Sequence, residues 1–139
     1  MPYNFQISKL PNRTEKPRES GITMVMDKGL SLREAEDFVS NCLEYTDIVK
    51  LGFGTSIVTP RLQEKIKLYQ DAGLHVYFGG TLFEAFVIRN QFDDYVRLLE
   101  KYGLKHAEVS DGSMDISQQE KCEYIHKLSK YVTVISEVG

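Results

Sequence analysis

The chain has 139 residues, 42% of them hydrophobic and 27% charged, with a net charge of −3. That composition fits one globular domain and excludes a disordered chain. The acidic balance argues against nucleic-acid and anionic-membrane partners, which call for a basic face.

Residues 1–20 are polar and carry Pro2, Pro11 and Pro17, so they read as an N-terminal arm without regular structure. They lack the basic-then-apolar order of a signal peptide, and no run in the chain reaches the ~18 apolar residues of a membrane span. A rhythm begins at Gly21. Gly21–Asp27 (GITMVMD) is a short apolar strand. Ser31, with Glu34 three residues on, forms a capping box for a helix whose apolar face holds Leu32, Ala35, Phe38, Val39, Cys42 and Leu43. Asp47–Gly52 is the second strand. Thr59 is expected to cap the second helix, with Pro60 in its first turn; Ile66, Leu68, Tyr69 and Ala72 follow, and Gly73 ends it. Leu74–Phe78 is the third strand. A long helical stretch, broken near Asn90, carries Phe92, Tyr95, Val96, Leu98 and Leu99 before Gly103. His106–Ser110 is the fourth strand. Ser117 and Glu120 cap a helix with Cys122, Ile125 and Leu128 inside, and Val132–Val138 is the fifth strand.

Alternating strands and helices argue for a parallel sheet in an α/β fold. Gly29, Gly54, Gly80, Gly112 and Gly139 close the successive strands at spacings of roughly one βα unit, ~30 residues. The first turn has no GxGxxG, which weakens a dinucleotide-binding version. The reading is a parallel (β/α) TIM-barrel type, with the first five strands of an eight-stranded barrel in residues 21–139. An ordinary barrel needs about eight strands and ~250 residues. The domain is therefore expected to be truncated at its C-terminus, or to form a homo-oligomer in which another copy covers the open edges. Cys42 and Cys122 form no framework, which points to a cytoplasmic location and to two small buried apolar residues.

In parallel α/β folds chemistry gathers at the carboxyl ends of the strands. Those ends carry Asp27, Lys50, Gly52–Ser56, Gly79–Thr81 followed by Glu84, then Glu108, Ser110 and Asp111, and finally Glu137. Glu108 and Ser110 share a face because they lie two apart on a strand. Lys50, flanked by Ile48, Val49 and Leu51, needs a carboxylate or an anionic ligand, since an unpaired buried ammonium is costly. Converging carboxylates repel one another, and a divalent cation, Mg²⁺ for an all-oxygen set, would relieve this. Singly, Asp27, Glu84 and Asp111 read equally well as capping or solvated acids. The backbone N–H groups of Gly52–Thr55 and Gly79–Thr81 could hold an anion or simply form tight turns. His75 and His106 lie at the amino ends of strands and His126 on a helix, all suited to structural roles.

The stretches GITMVMDKGLSLREAEDF, YTDIVKLGFGTSIVTPRLQEKI, VYFGGTLFEA, AEVSDGSMDIS and VISEVG resemble the phosphosulfolactate synthase family, also called the coenzyme M biosynthesis protein A family. The resemblance runs from Arg18 onward. It implies a barrel and a Mg²⁺-dependent lyase that adds sulfite to phosphoenolpyruvate, giving (2R)-2-O-phospho-3-sulfolactate. It also implies lysines after the EVG stretch, one of them a candidate proton donor. On this reading Lys50, Glu84 and Glu137 are catalytic, with Glu84 orienting Lys50. Asp27, Glu108 and Asp111 gather the metal, with Glu137 beside them. Arg18, Thr55, Gly80, Thr81 and Ser110 bind substrate. Two alternatives stay open: a non-enzymatic relative acting as a ligand-binding or stress-associated interaction module, as the resemblance to plant heat-stress-associated proteins implies, and a different carbon–carbon or carbon–sulfur lyase on the same scaffold.

Overall fold

A computed structural model describes residues 3–138; Met1 and Pro2 of the arm and the closing glycine Gly139 lie outside the described residues. The expected alternation is present: β1 (Met24–Asp27), α1 (Leu32–Cys42), β2 (Ile48–Leu51), α2 (Leu62–Asp71), β3 (His75–Phe78), α3 (Gly80–Val87), α4 (Phe92–Lys101), β4 (His106–Val109), α5 (Gln118–Leu128) and β5 (Thr133–Ser136). One-turn 3₁₀ helices, Leu43–Tyr45 and Thr55–Ile57, flank β2. β1, β2 and β3 form a parallel sheet in that order, and β4 and β5 form a parallel pair. β3 packs beside β4 without a ladder between them. This is an α/β fold with parallel strands throughout the described residues.

Local sequence explains most helix boundaries. Ser31 and Ser117 each accept from the backbone N–H three residues on, and the glutamates there return a bond, so both capping boxes form as expected. The long helical stretch breaks at Asn90, which takes a left-handed φ of 56° between α3 and α4. α2 departs from expectation. It starts after Arg61, whose φ is 56°, and has no side-chain cap. Thr59 instead donates its hydroxyl to the carbonyl of Thr55 at 2.8 Å, closing the preceding turn. The cysteines are corrected too: Cys42 is half-buried and Cys122 is exposed. The inner stripe of α5 runs through Tyr124, Ile125 and Leu128, and Cys122 lies off it.

The strand register decides which side chains meet. Met26, Lys50 and Tyr77 lie side by side across β1–β3, and Asp27, Leu51 and Phe78 are the next row. Rows alternate between the two faces of a sheet. Val49, Leu51, Val76, Phe78, Ala107 and Val109 point towards the helices and join Ala35, Ile66, Tyr69, Leu99 and Leu128 in the buried core. The opposite face carries Lys50, Tyr77 and Glu108, so a polar layer sits where a barrel interior would be.

Candidate functional site

Lys50 is the hub of this inner face. Its ammonium lies 2.8 Å from Glu108 Oε2 and 2.8 Å from Glu137 Oε1. β2 carries the lysine, β4 the buried Glu108, and the residue following β5 is Glu137. Burial alone would lower the pKa of Lys50, but the hydrogen bonds and charges of Glu108 and Glu137 outweigh it and raise the pKa. The hydrogen bond from Lys50 holds Glu137 below the usual carboxylate range against the opposing effect of burial. The expectation that Lys50 needs a carboxylate partner is met twice.

Glu108 has a second task. Its Oε1 accepts from the N–H of Gly80 at 2.7 Å, the first residue of α3, a helix with no side-chain cap from its own Gly79. A carboxylate at a helix N-terminus satisfies an orphan donor and the helix dipole together. The approach is close enough to require glycine: a Cβ on Gly80 would lie 2.1 Å from Ser110 Oγ and 2.7 Å from Glu108 Oε1. The same numbers show Glu108 and Ser110 on one face, as their spacing predicts.

Glu84 is not the residue that orients Lys50, which is a correction. Its carboxylate accepts from the Ser110 hydroxyl and from the N–H groups of Gly112 at 3.2 Å and Ser113 at 2.6 Å. It pins the loop after β4, while Glu108 and Glu137 hold the lysine.

Met26, Lys50, Phe53, Gly80, Thr81, Glu84, Glu108, Ser110, Gly112, Ser113 and Glu137 line a cavity of about 250 Å³ at this rim. Seven of the expected site residues are therefore together: Lys50, Glu84, Glu137, Gly80, Thr81, Ser110 and Glu108. Four are elsewhere. Asp27 faces the helices, one row off from Lys50. Its carboxylate takes bonds from Lys65 at 2.9 Å, the Tyr69 hydroxyl at 2.9 Å, and the N–H groups of Gly29 and Leu30 at 2.8 and 2.7 Å. Burial pushes its pKa up, but these bonds prevail and lower it. Thr55 donates to the Gly52 carbonyl at 2.9 Å and packs against the Gly29 turn. Asp111 pairs at 2.8 Å with Lys121, which also reaches the Glu137 carbonyl at 2.6 Å. Arg18 is at the other end of the strands. It pairs with Asp47 at 2.8 Å and bonds the carbonyls of Thr14 and Glu44 at 2.8 Å each, tying the arm to the start of β2. Asp47 is three residues from Lys50, roughly 10 Å along the strand.

The metal set expected from Asp27, Glu108 and Asp111 thus does not converge, since each carboxylate already answers to its own donors. Among the described residues no three His, Cys, Asp or Glu side chains meet as a metal site. The Lys50 ammonium lies between the carboxylates that do converge, those of Glu108 and Glu137. Of the three carboxylates that line the pocket among the described residues, that of Glu137 is the exposed one, its side chain 54% exposed.

A larger cavity, about 580 Å³, lies at the amino ends of the strands between Lys16, Arg18, Asp47, His75 and His106. Its cations are already used: Lys16 donates to the carbonyls of Leu43 and Thr46, and Arg18 to Asp47. The His75 and His106 rings sit 4.7 Å apart between centroids, and burial followed by the nearby His75 lowers the basicity of His106.

Sequence reasoning missed three features. Tyr77 is the register partner of Lys50; among the described residues its buried hydroxyl has no partner at hydrogen-bond geometry, and burial, then the charge of Glu108, push its pKa up. Parity from Lys50 could have found it only with the register in hand. Lys65 is buried on α2 against Asp27, and nothing in the helical pattern distinguishes it from a surface lysine. Phe53 stands between two glycines with a φ of 54° and is 61% exposed on the pocket wall. For an L-residue that conformation costs roughly 1–2 kcal/mol.

Residues 11–139 match the family model described as (2R)-phospho-3-sulfolactate synthase (ComA). The chain is 37% identical over 131 residues to the phosphosulfolactate synthase of Bacillus subtilis (strain 168), covering 94% of this chain and 52% of that protein. It is 43% identical over 124 residues to the enzyme of that name from Methanocaldococcus jannaschii, covering 87% and 49% respectively. Against that of Methanothermobacter thermautotrophicus the identity is 36% over 132 residues, covering 93% and 51%. The chain spans about half the length of the curated relatives it matches.

Proposed function

We propose, from the premise that this chain belongs to the (2R)-phospho-3-sulfolactate synthase (ComA) family, that its rim pocket forms part of a lyase site that adds sulfite to phosphoenolpyruvate. The observation that carries the reading is the Lys50 ammonium held at 2.8 Å by both Glu108 and Glu137 on the wall of a cavity. The reaction brings two anions together. Sulfite attacks the methylene carbon, negative charge moves into the substrate carboxylate, and the middle carbon then takes a proton from a water-borne acid to complete the addition. A fixed ammonium in a partly buried pocket stabilises that charge far better than one in water.

The raised pKa of Lys50 keeps it protonated, which suits electrostatic stabilisation and makes it a poor proton donor. Glu137 is ionised at neutral pH and serves as orienter or base, not as acid. Glu108 fixes Lys50 and the start of α3 together, and Glu84 shapes the wall through Ser110 and Ser113. Thr81 offers a hydroxyl to substrate oxygens, while the Ser110 hydroxyl is donated to Glu84 and shapes the wall. Magnesium enters the proposal through Glu137 alone, because Mg²⁺ can use a single carboxylate and fill its shell with water and substrate oxygens. When bound there it would neutralise charge on the substrate carboxylate. Closure to eight strands belongs to the same proposal. Among the described residues β1 and β5 each have a ladder on one side only, which supports cover by further strands or by a second copy.

The test is an assay of the protein encoded by the complete source gene, with sulfite, phosphoenolpyruvate and Mg²⁺. Sulfite-dependent loss of phosphoenolpyruvate with formation of phosphosulfolactate is expected. Binding of phosphoenolpyruvate without turnover would instead favour the ligand-binding alternative and sink the lyase reading.

A further inference from the structure

We propose that Phe53 is the cap of the rim pocket, a substrate-contacting side chain whose ring settles over the planar enol carboxylate of a small acid with two anionic groups, resting on Lys50. This deepens the reading above and rests on it for the identity of the ligand. A single exposed aromatic is ordinary on a protein surface. An aromatic on the wall of a charged pocket, in a backbone conformation that L-residues avoid, is not. Phe53 has a φ of 54°, lies between Gly52 and Gly54, and is 61% exposed. The ring packs on little, so apolar burial does not explain why the strained position carries phenylalanine and not glycine. Residues held this way persist where the surroundings over-determine them, and they cluster at ligand clamps.

The surroundings fit that role. Gly52 is locked beneath the turn, since a Cβ there would meet Met26 Cγ at 2.8 Å. Lys28, on the turn after β1, places its ammonium 5.7 Å from the centre of the Phe53 ring. An acid on Lys50 would therefore have one ammonium beside it and a flat apolar face above, with the Lys28 ammonium against that ring. A planar enol carboxylate can stack on that face. Excluding water there strengthens the Lys50 electrostatics on which the addition depends.

The experiment uses the protein from the complete source gene, with Phe53→Gly and Phe53→Tyr. Three quantities are measured: Tm, the calorimetric affinity for phosphoenolpyruvate, and the rate at which acetic anhydride labels Lys50 without ligand, read by mass spectrometry. Phe53→Gly should keep Tm at or above the parent's, because glycine accepts the positive φ. It should weaken phosphoenolpyruvate about tenfold, the loss of one well-placed aromatic contact, and label Lys50 faster. Phe53→Tyr should match the parent in all three. Affinity within about twofold of the parent in Phe53→Gly, or a Tm drop beyond about 5 °C showing that the ring packs the fold, overturns the cap. If the parent itself fails to bind phosphoenolpyruvate, the substrate reading falls, and equal Lys50 labelling in parent and glycine variant overturns the cap separately.

Discussion

Replacing Lys50 by Met removes the cation that Glu108 and Glu137 share, and the structure gives the size of the effect. Glu108 is 2% exposed and would keep one donor, the Gly80 N–H. Leaving a buried carboxylate without its cation costs about 3–5 kcal/mol, and the retained N–H bond puts this case near the lower figure. Glu137 adds little, because its half-exposed carboxylate is solvated without the lysine. About 3 kcal/mol lies within a typical stability of 5–15 kcal/mol, so the variant should fold, with Tm lower by on the order of 10 °C. Activity should fall about a hundredfold or more, as when a charge-stabilising donor is removed. The second substitution separates the two effects. Lys50→Met with Glu108→Gln removes the stranded charge while leaving an oxygen for Gly80, so Tm should recover most of the loss while turnover stays as low as in the single variant. Thermal unfolding and sulfite-dependent phosphoenolpyruvate consumption check both. An unchanged Tm in the single variant would refute the claim that Lys50 compensates Glu108, and normal turnover would refute its catalytic part.

Two more outcomes follow from the same contacts. Asp27→Asn strands the buried Lys65 and should cost about 3 kcal/mol at neutral pH. Because the folded pKa of Asp27 lies below 3.8, its contribution is complete above that value and is lost as pH falls through the folded pKa. Urea unfolding should therefore show a constant gap between parent and variant above about pH 5 that narrows in stronger acid; a gap that widens in acid contradicts the pairing. Gly80→Ala drives a methyl into Ser110 and Glu108, breaking the bond that ties Glu108 to α3. It should destabilise by about 1–3 kcal/mol and cut turnover at least about tenfold, and parent-like kinetics would show that this contact does not shape the site.

How much of this was legible beforehand differs by residue. The alternation, both serine capping boxes, the break at Asn90 and the pairing of Glu108 with Ser110 follow from local rules, because capping and side-chain periodicity need only neighbours a few residues apart. The need of Lys50 for a partner was also readable, since an apolar strand cannot hold a lone ammonium. Its partners were not, because Glu84 on α3, Glu108 in β4 and Glu137 after β5 are all acids near the carboxyl side of the strands, and only the packed strands bring two of them to the nitrogen. Asp27 is the clearest case. A period of two says which residues of one strand share a face, but not which face that is, and a shift of one residue exchanges them. Register put Met26 beside Lys50 and turned Asp27 towards Lys65. Arg18 went the same way, placed by its ion pair with Asp47 at the far end of β2. From residues alone came the elements, their order and a set of candidate acids. Tertiary structure chose among those acids, because a pocket is made by contacts between segments far apart in the chain.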